Sequence, residues 1–214
     1  MNDSEQDLTA ALSKAQSDQE FWAKLTEEFR PRLRRMVDLR MEEQIRPRLD
    51  ASDVVQDSFL EAFQRLPEYV KNPAVPFYVW LRTLTFQRLT LAHRQNLGVK
   101  ARDARRETRV QPGFVTDATS AVLMNALVGT LDSPSAVAVR QEHKQAIERA
   151  LAEMDPTDRE VLILRHFEEM TNNEIAATLD LKPSAATNRY IRALEKLKAA
   201  MTRFTDHSSE FQPS

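Results

Sequence analysis

The sequence predicts an all-α protein of two small helical domains joined by a flexible linker. Three observations support this prediction. Only 3 glycines occur in 214 residues, fewer than a sheet protein of this size needs for its turns and bulges. Apolar residues recur at three- and four-residue steps through most of the chain. Residues that cap helices stand in front of several of these amphipathic stretches.

The first predicted domain covers residues 20–109 and follows an acidic tail at residues 1–19. Its first helix extends from residue 20 to about residue 41, since apolar side chains recur there at helical spacing. Pro31 falls inside this stretch. Because proline lacks a backbone N–H and its ring clashes with the preceding turn, we expect it to divide or bend the helix.

Two further helices complete the first predicted domain. Asp50 is the expected N-cap of a helix whose apolar stripe includes Val54, Phe59 and Phe63. "PEYVKNPAVP" contains three prolines and predicts a loop. The third helix begins at "FYVWLRTLTF" and continues through a basic segment to about residue 107.

The second predicted domain covers residues 135–204. It follows a linker at residues 110–134 that contains no lysine or arginine. Ser133 followed by proline predicts a helix start, and that helix continues to about Met154. A disordered tail is expected at residues 205–214.

Three capped helices are predicted in the rest of this domain. Asp155 followed by Pro156 predicts the start of "TDREVLILRHF" as a helix. Thr171 and Glu174 have the T-x-x-E spacing of a capping box, which predicts a short helix after them. Ser184 is the expected N-cap of a longer helix. A short capped helix, a tight turn and a longer helix with a polar N-terminal half are typical of a helix-turn-helix.

Charge is strongly segregated, although the formal net charge is only -2. Residues 88–109 contain 7 basic and 2 acidic residues, and residues 180–203 contain 6 basic and 2 acidic residues. Residues 153–179 contain 7 acidic and 2 basic residues, and we expect that segment to face away from DNA. Two separate basic zones favour nucleic-acid contact. On these residues alone, a helical hairpin with a solvated charged face stays an open alternative.

Composition narrows the chemistry. Cysteine is absent, which excludes disulfides, thiolate metal sites and a cysteine nucleophile. No apolar run of membrane-spanning length occurs, and "MNDSEQDLTAALSK" has no signal-peptide core. No glycine-rich phosphate loop, pair of metal ligands or activated nucleophile is recognisable. We therefore expect a cytoplasmic protein that is not an enzyme and has no metal, cofactor, small-molecule substrate or membrane contact.

Two segments of the chain resemble one known family. "DASDVVQDSFLEAF", followed by "PFYVWLRTLTFQRL" and a basic segment, resembles region two of the extracytoplasmic-function (ECF) sigma factors of bacterial RNA polymerase. "LAEMDPTDREVLILRHFEEMTNNEIAATLDLKPSAATNRYIRALEKLK" is similar to their region four. The two segments have the family's order, with no region-three domain between them. The linker and "NRYIRAL" resemble planctomycete-type members.

The resemblance implies a subunit that binds core RNA polymerase and promoter DNA and directs promoter recognition, DNA melting and initiation. In such factors a D-x-x-Q-D helix docks on the polymerase clamp. Here the matching residues are Asp53, Gln56 and Asp57, and their spacing places them on one helix face. The candidates for the -10 element and its single strand are Lys71, Asn72, Arg82, Arg88, His93, Arg94 and Lys100. The candidates for the -35 element are Lys182, Ser184, Thr187, Asn188, Arg189 and Arg192.

Several points stay open at the level of sequence. Many relatives have glycine-threonine-valine where this chain has Ala185, Ala186 and Thr187, so specificity for the -35 element rests on few side chains. Control by an anti-sigma factor, by a regulatory kinase or by simple transcriptional control is compatible with the sequence. Two other functions remain as alternatives: a helix-turn-helix regulator that acts without core polymerase, and a helical adaptor that does not bind DNA.

Overall fold

The structure confirms the all-α fold. The computed structural model describes residues 11–12, 18–41, 44–96, 151 and 154–209. The chain divides into two compact units, Met1–Pro112 and Gly113–Ser214, which are described separately. The described part of the first unit contains α1 (Gln19–Arg40), α2 (Ala51–Lys71) and α3 (Phe77–Asn96), and that of the second contains α4 (Pro156–His166), α5 (Asn172–Leu179) and α6 (Pro183–Ser209). No strand occurs among the described residues.

Several predicted limits lie outside these residues. They include most of the N-terminal tail, the linker, most of the helix before Met154 and the basic segment beyond Asn96. The prediction of a disordered tail from residue 205 is wrong for residues 205–209, because α6 continues to Ser209. The domain limits at residues 109, 134 and 135 therefore stay predictions. None of the described helices is long and apolar enough to cross a membrane.

Helix α1 is continuous through Pro31, so this proline does not divide the helix, and the alternative prediction of a bend stays untested. The helix begins after Asp18, whose side chain accepts a hydrogen bond from the Phe21 backbone N–H (2.9 Å). Phe29 and Leu33, on either side of the proline, are both buried. Burial of these side chains against the neighbouring helices offsets the loss of one backbone hydrogen bond at Pro31.

Helix α2 begins as predicted and ends later than predicted. Asp50 is its N-cap and accepts a hydrogen bond from the Ser52 N–H (2.7 Å). The helix continues through Pro67 to Lys71, so the first half of the predicted proline-rich loop is helical. Tyr69 explains the extension, because its ring stacks on Trp80 with centroids 4.6 Å apart and its hydroxyl donates to the Val75 carbonyl (2.9 Å). The true loop is confined to residues 72–76.

Helix α3 packs against both α1 and α2. Because it contacts two helices, much of its circumference is buried, including Tyr78, Leu81 and Leu84. Arg82 is also buried, with 0% of its surface exposed. The polar residues of α3 therefore cannot be assumed to lie at the surface.

In the second unit both predicted caps of α4 and α5 are confirmed. Asp155 accepts hydrogen bonds from the backbone N–H groups of Thr157 (2.8 Å) and Asp158 (3.3 Å) at the start of α4. The capping box of α5 is complete: Glu174 N–H donates to Thr171 Oγ1 (3.2 Å), and Thr171 N–H donates to Glu174 Oε2 (2.7 Å).

The turn between α5 and α6 occupies residues 180–182. Asp180 ends α5 in the left-handed conformation (φ 53°), and the Leu181 N–H donates to the Ala176 carbonyl (2.8 Å). Helix α6 begins at Pro183, so the prediction of Ser184 as its N-cap is wrong. Proline suits the first helical position because its fixed φ matches the helix and its missing N–H has no intrahelical partner there.

Helix α4 packs against α5 and α6, which also contact each other. The core of this unit contains Val161, Ile163, Ile175, Ala186 and Ala193, all buried. α5 and α6 thus form the helix-turn-helix pair predicted from the sequence, and α4 supports both helices.

Candidate polymerase and nucleic-acid interfaces

The D-x-x-Q-D side chains lie together on the surface of α2. Asp53, Gln56 and Asp57 are all exposed, whereas Val55 and Phe59 on the opposite side are buried. Neither carboxylate forms an ion pair with another described residue. This exposed, negatively charged face has the geometry that the sequence predicts for polymerase docking, and its role in docking stays a prediction.

Apolar residues border this face, and the sequence interpretation missed them. Leu60 follows Asp57 by three residues on α2 and is 58% exposed. A groove beside the face is lined by Leu49, Asp53, Val54, Asp57, Arg88, Leu91, Ala92 and Gln95. Leu91 is also exposed. Helical spacing could have predicted the exposure of Leu60, because this residue lies off the apolar stripe of its own helix. A large apolar residue at such a position stays exposed.

The candidates for the -10 element differ in accessibility. Lys71 is the last residue of α2, Asn72 follows it, and both are exposed, as is Arg94. His93 is half-buried. Lys100 lies outside the described residues. In the part of the chain that the structure describes, no group of three or more His, Cys, Asp or Glu residues could hold a metal ion.

Arg82 is a correction to the predicted -10 surface. Its side chain is buried within the first unit, where DNA phosphates cannot approach it. The cause is the packing of α3 between two helices, which covers the side of α3 on which Arg82 lies. We therefore exclude Arg82 from the DNA contacts.

Arg88 is partly exposed and has a protein partner. Its Nε donates to Glu61 Oε2 (2.5 Å), and Arg65 Nη1 donates to Glu61 Oε1 (3.1 Å). Burial alone would raise the pKa of Glu61, but these two arginines outweigh it and hold the pKa below its ordinary value. Arg88 is thus held in a defined position by an ionised carboxylate.

The aromatic residues of the first unit mostly form its core. Phe77 and Tyr78 are buried, and Trp80 is half-buried against Tyr69. Phe86 is also half-buried. The partly accessible rings of Trp80 and Phe86 are the ones in this helix that retain surface for stacking on a base.

The N-terminal half of α6 presents the polar face that a recognition helix requires. Lys182, Ser184 and Asn188 are exposed. Thr187 is half-buried, and its hydroxyl is already engaged within the protein. It donates to the Pro183 carbonyl (3.1 Å) and accepts from Asn172 Nδ2 (3.1 Å). The first residue of α5 is therefore tied to the second turn of α6, which fixes the two helices relative to each other.

The two arginines of α6 face acidic residues of α4. Arg189 Nη1 donates to Asp158 Oδ1 (2.7 Å) and to Asp155 Oδ1 (3.1 Å). Arg192 Nη2 lies 3.9 Å from Asp158 Oδ1 and is more exposed. Four acidic residues of the segment that is expected to face away from DNA are buried: Asp158, Glu160, Glu168 and Glu174. These four carboxylates therefore add little charge to the surface, and the orientation of the segment away from DNA stays a prediction.

A second contact joins α4 to α6 near the end of α4. The Tyr190 hydroxyl lies 3.2 Å from His166 Nε2, and the Arg165 guanidinium stands over the Tyr190 ring at 6.0 Å. Burial and, secondarily, the charge of Arg165 lower the pKa of His166. The neutral form of His166 is thus favoured, and its ring packs against Tyr190.

Comparison with known proteins agrees with this architecture. The family described as sigma-70, region 4 matches residues 144–197. RNA polymerase sigma factor CnrH of Cupriavidus metallidurans is 31% identical over 159 residues, which cover 72% of this chain and 75% of CnrH. The ECF RNA polymerase sigma-E factor of Salmonella typhimurium is 26% identical over 153 residues, which cover 71% of this chain and 73% of that protein.

Among solved structures, CnrH in complex with the cytosolic domain of CnrY aligns with 91% of this chain and 97% of its own chain. The sequence identity is 22% and the TM-score is 0.49. None of these relatives bears on the planctomycete-type assignment, which stays a prediction. The chain is 31% identical to CnrH over three quarters of the length of CnrH. Together with the region-four match, this identity shows that the chain belongs to the ECF family of RNA polymerase sigma factors.

Proposed function

We propose that this sigma factor docks on core RNA polymerase through the exposed face of α2 formed by Asp53, Gln56 and Asp57. The observation that supports this proposal most directly is the joint exposure of the two carboxylates without an ion pair to another described residue. Exposed carboxylates attract basic partners, and neighbouring apolar surface supplies the area that an interface buries. Leu60 and Leu91 provide that surface here.

The -35 element is contacted by the N-terminal half of α6. Ser184 and Asn188 lie on its exposed side and are available for base edges in the major groove. Lys182, immediately before the helix, is available for a phosphate. With Ala185 and Ala186 in the first turn, base recognition rests on these few polar side chains.

The -10 element is contacted by the first unit. Lys71 and Asn72, at the end of α2, and Arg94, near the end of α3, are its exposed polar candidates. Opening of the duplex needs a surface that holds unpaired bases, and partly exposed rings such as Trp80 can stack on them.

The protein acts in the cytoplasm by binding, without catalysing a reaction itself. Its formal net charge of -2 gives little long-range attraction to DNA. Promoter binding therefore depends on the complex with core polymerase. Its control by an anti-sigma factor, by a regulatory kinase or by its own expression stays open.

The decisive experiment maps transcription start sites on genomic DNA with core polymerase, in the presence and absence of the purified chain. New start sites that share an upstream motif are the expected result. A chain that binds core polymerase and produces no new start sites would contradict the proposed promoter function. Selective DNA binding by the chain alone would instead favour a regulator that acts without core polymerase.

Docking is tested separately with charge reversals on one helix. Asp57→Arg is expected to weaken association with core polymerase about tenfold or more, because it places a cation against a basic partner. Glu68→Arg is the matched control, since Glu68 is an exposed acid on the same helix, about 16 Å further along its axis. If the two variants co-purify equally with core polymerase, the proposal that this face of α2 docks on core polymerase is wrong.

A further inference from the structure

One carboxylate of the second unit lies among three basic side chains. Asp158 is on α4, and its side chain is 5% exposed. Arg189 donates to its Oδ1 at 2.7 Å, while Arg192 Nη2 and Lys196 Nζ each lie 3.9 Å from a carboxylate oxygen. All three basic residues belong to α6, at spacings of three and four residues, so they share one face of that helix.

The three basic side chains are engaged to different degrees. Arg189 is the most buried, with 28% side-chain exposure, and it also donates to Asp155 at 3.1 Å. Arg192 and Lys196 are 58% and 52% exposed and sit at the outer limit of ion pairing. Asp155 and Asp158, here called the acidic pair, therefore bind Arg189 firmly, and Asp158 also attracts two further cations that still reach solvent.

This arrangement bears on DNA binding because a carboxylate and a phosphate compete for the same donors. A guanidinium makes similar charge-assisted hydrogen bonds to both groups. Arg189 and Arg192 follow Asn188 within about one turn, next to the part of α6 that faces the groove. Without the carboxylates, cations at that position would be free to neutralise backbone phosphates. Neutralisation of phosphates supplies most of the non-specific affinity of a protein for DNA.

We propose that the acidic pair withholds basic side chains of α6 from DNA and so limits the number of phosphate contacts that the second unit makes. The inference rests on the proposed contact between α6 and the -35 element. Its consequence is low affinity of this unit for DNA in general. Binding then requires correct base contacts and the additional attachment that core polymerase provides.

The test measures promoter affinity as a function of salt for the complex of the full chain with core polymerase. Asp158→Asn keeps the shape and an acceptor oxygen for Arg189 while removing the charge. Each additional phosphate that the complex neutralises steepens the slope of log affinity against log salt by about 0.9. The ratio of variant to wild-type affinity is thus expected to grow about threefold as salt falls from about 200 mM to about 50 mM.

A second variant keeps the test decisive if Asp158→Asn does not fold. Asp155→Ser retains an N-cap acceptor for α4 and removes the more exposed carboxylate of the pair. It is expected to steepen the slope in the same direction. Glu27→Gln, at an exposed position of α1, removes one negative charge elsewhere and is expected to leave the slope unchanged.

The outcomes separate this inference from the proposed function. If the wild-type complex shows no preference for promoter DNA, the proposed function fails. If it binds the promoter selectively and both folded variants keep the wild-type slope, the acidic pair only stabilises the fold and the inference is wrong. A slope that becomes shallower in either folded variant also overturns it.

Discussion

The stability of the helix-turn-helix depends on the two hydrogen bonds of the capping box at the start of α5. Thr171 Oγ1 accepts from the Glu174 N–H, and the buried Glu174 carboxylate accepts from the Thr171 N–H. Helix α5 spans only Asn172–Leu179. A helix this short is not stable alone in water, so it depends on its caps and on packing against α4 and α6.

Thr171→Ala removes the acceptor for the Glu174 N–H and leaves that donor without its partner. Loss of an N-cap of this type costs about 1 kcal/mol, within a range of about 0.5 to 2 kcal/mol. For a domain of roughly 60 to 100 residues, 1 kcal/mol lowers Tm by about 4 to 8 °C. Because Asn172 of α5 donates to Thr187 of α6, promoter affinity is expected to fall as well.

Thermal unfolding of the full chain, followed by circular dichroism, measures this effect on the transition of the second unit. Asn173→Ala is the matched control, since Asn173 is exposed on the same helix and surface changes stay within about 0.5 kcal/mol. Indistinguishable Tm values for the two variants would refute the argument that the capping box stabilises α5.

Two other predictions concern a buried arginine and a helix cap. Arg82→Ala should lower the free energy of unfolding of the first unit by about 2 to 4 kcal/mol, since it removes two buried methylenes beyond Cβ, at about 0.8 kcal/mol each, and leaves a cavity. Arg94→Ala should weaken promoter binding and leave the free energy of unfolding unchanged. Urea titrations and promoter-binding assays test both variants. An Arg82→Ala variant that loses promoter affinity but keeps its stability would contradict the burial of Arg82. Burial tends to raise the pKa of Asp155, but the Thr157 and Asp158 N–H groups and the Arg189 charge hold it below its ordinary value. Because the folded pKa is lower than the unfolded pKa, this stabilisation is present above about pH 4 and disappears as pH falls further. The Tm difference between wild type and Asp155→Asn should accordingly shrink to zero in acid, and a difference independent of pH would show that charge is not involved.

Local features of the structure followed directly from the sequence. The caps at Asp50, Asp155 and Thr171 were predicted because each involves residues within a few positions of one another, and local hydrogen bonds need no knowledge of the fold. The exposure of Asp53, Gln56 and Asp57 was predicted for a similar reason. Helical spacing alone places them opposite the apolar stripe.

Features that depend on distant partners were not predictable in this way. Pro67 lies within a helix because Tyr69 stacks on Trp80 from α3. Arg82 is buried because α3 packs against two helices at once. Neither partner is visible from the local sequence, so local rules predicted a loop in the first case and a surface residue in the second.

The sequence by itself determined the helical class, the capped helix-turn-helix and the family to which the chain belongs, because these depend on local spacing and on motifs. Tertiary structure alone decided which charges of α3, α4 and α6 are available to a partner. No sequence pattern indicated a contact between Asp158 and Arg189, and they form an ion pair because α4 packs against α6. Burial and pairing depend on which helices meet, and a charge acts on DNA or polymerase only where packing leaves it exposed.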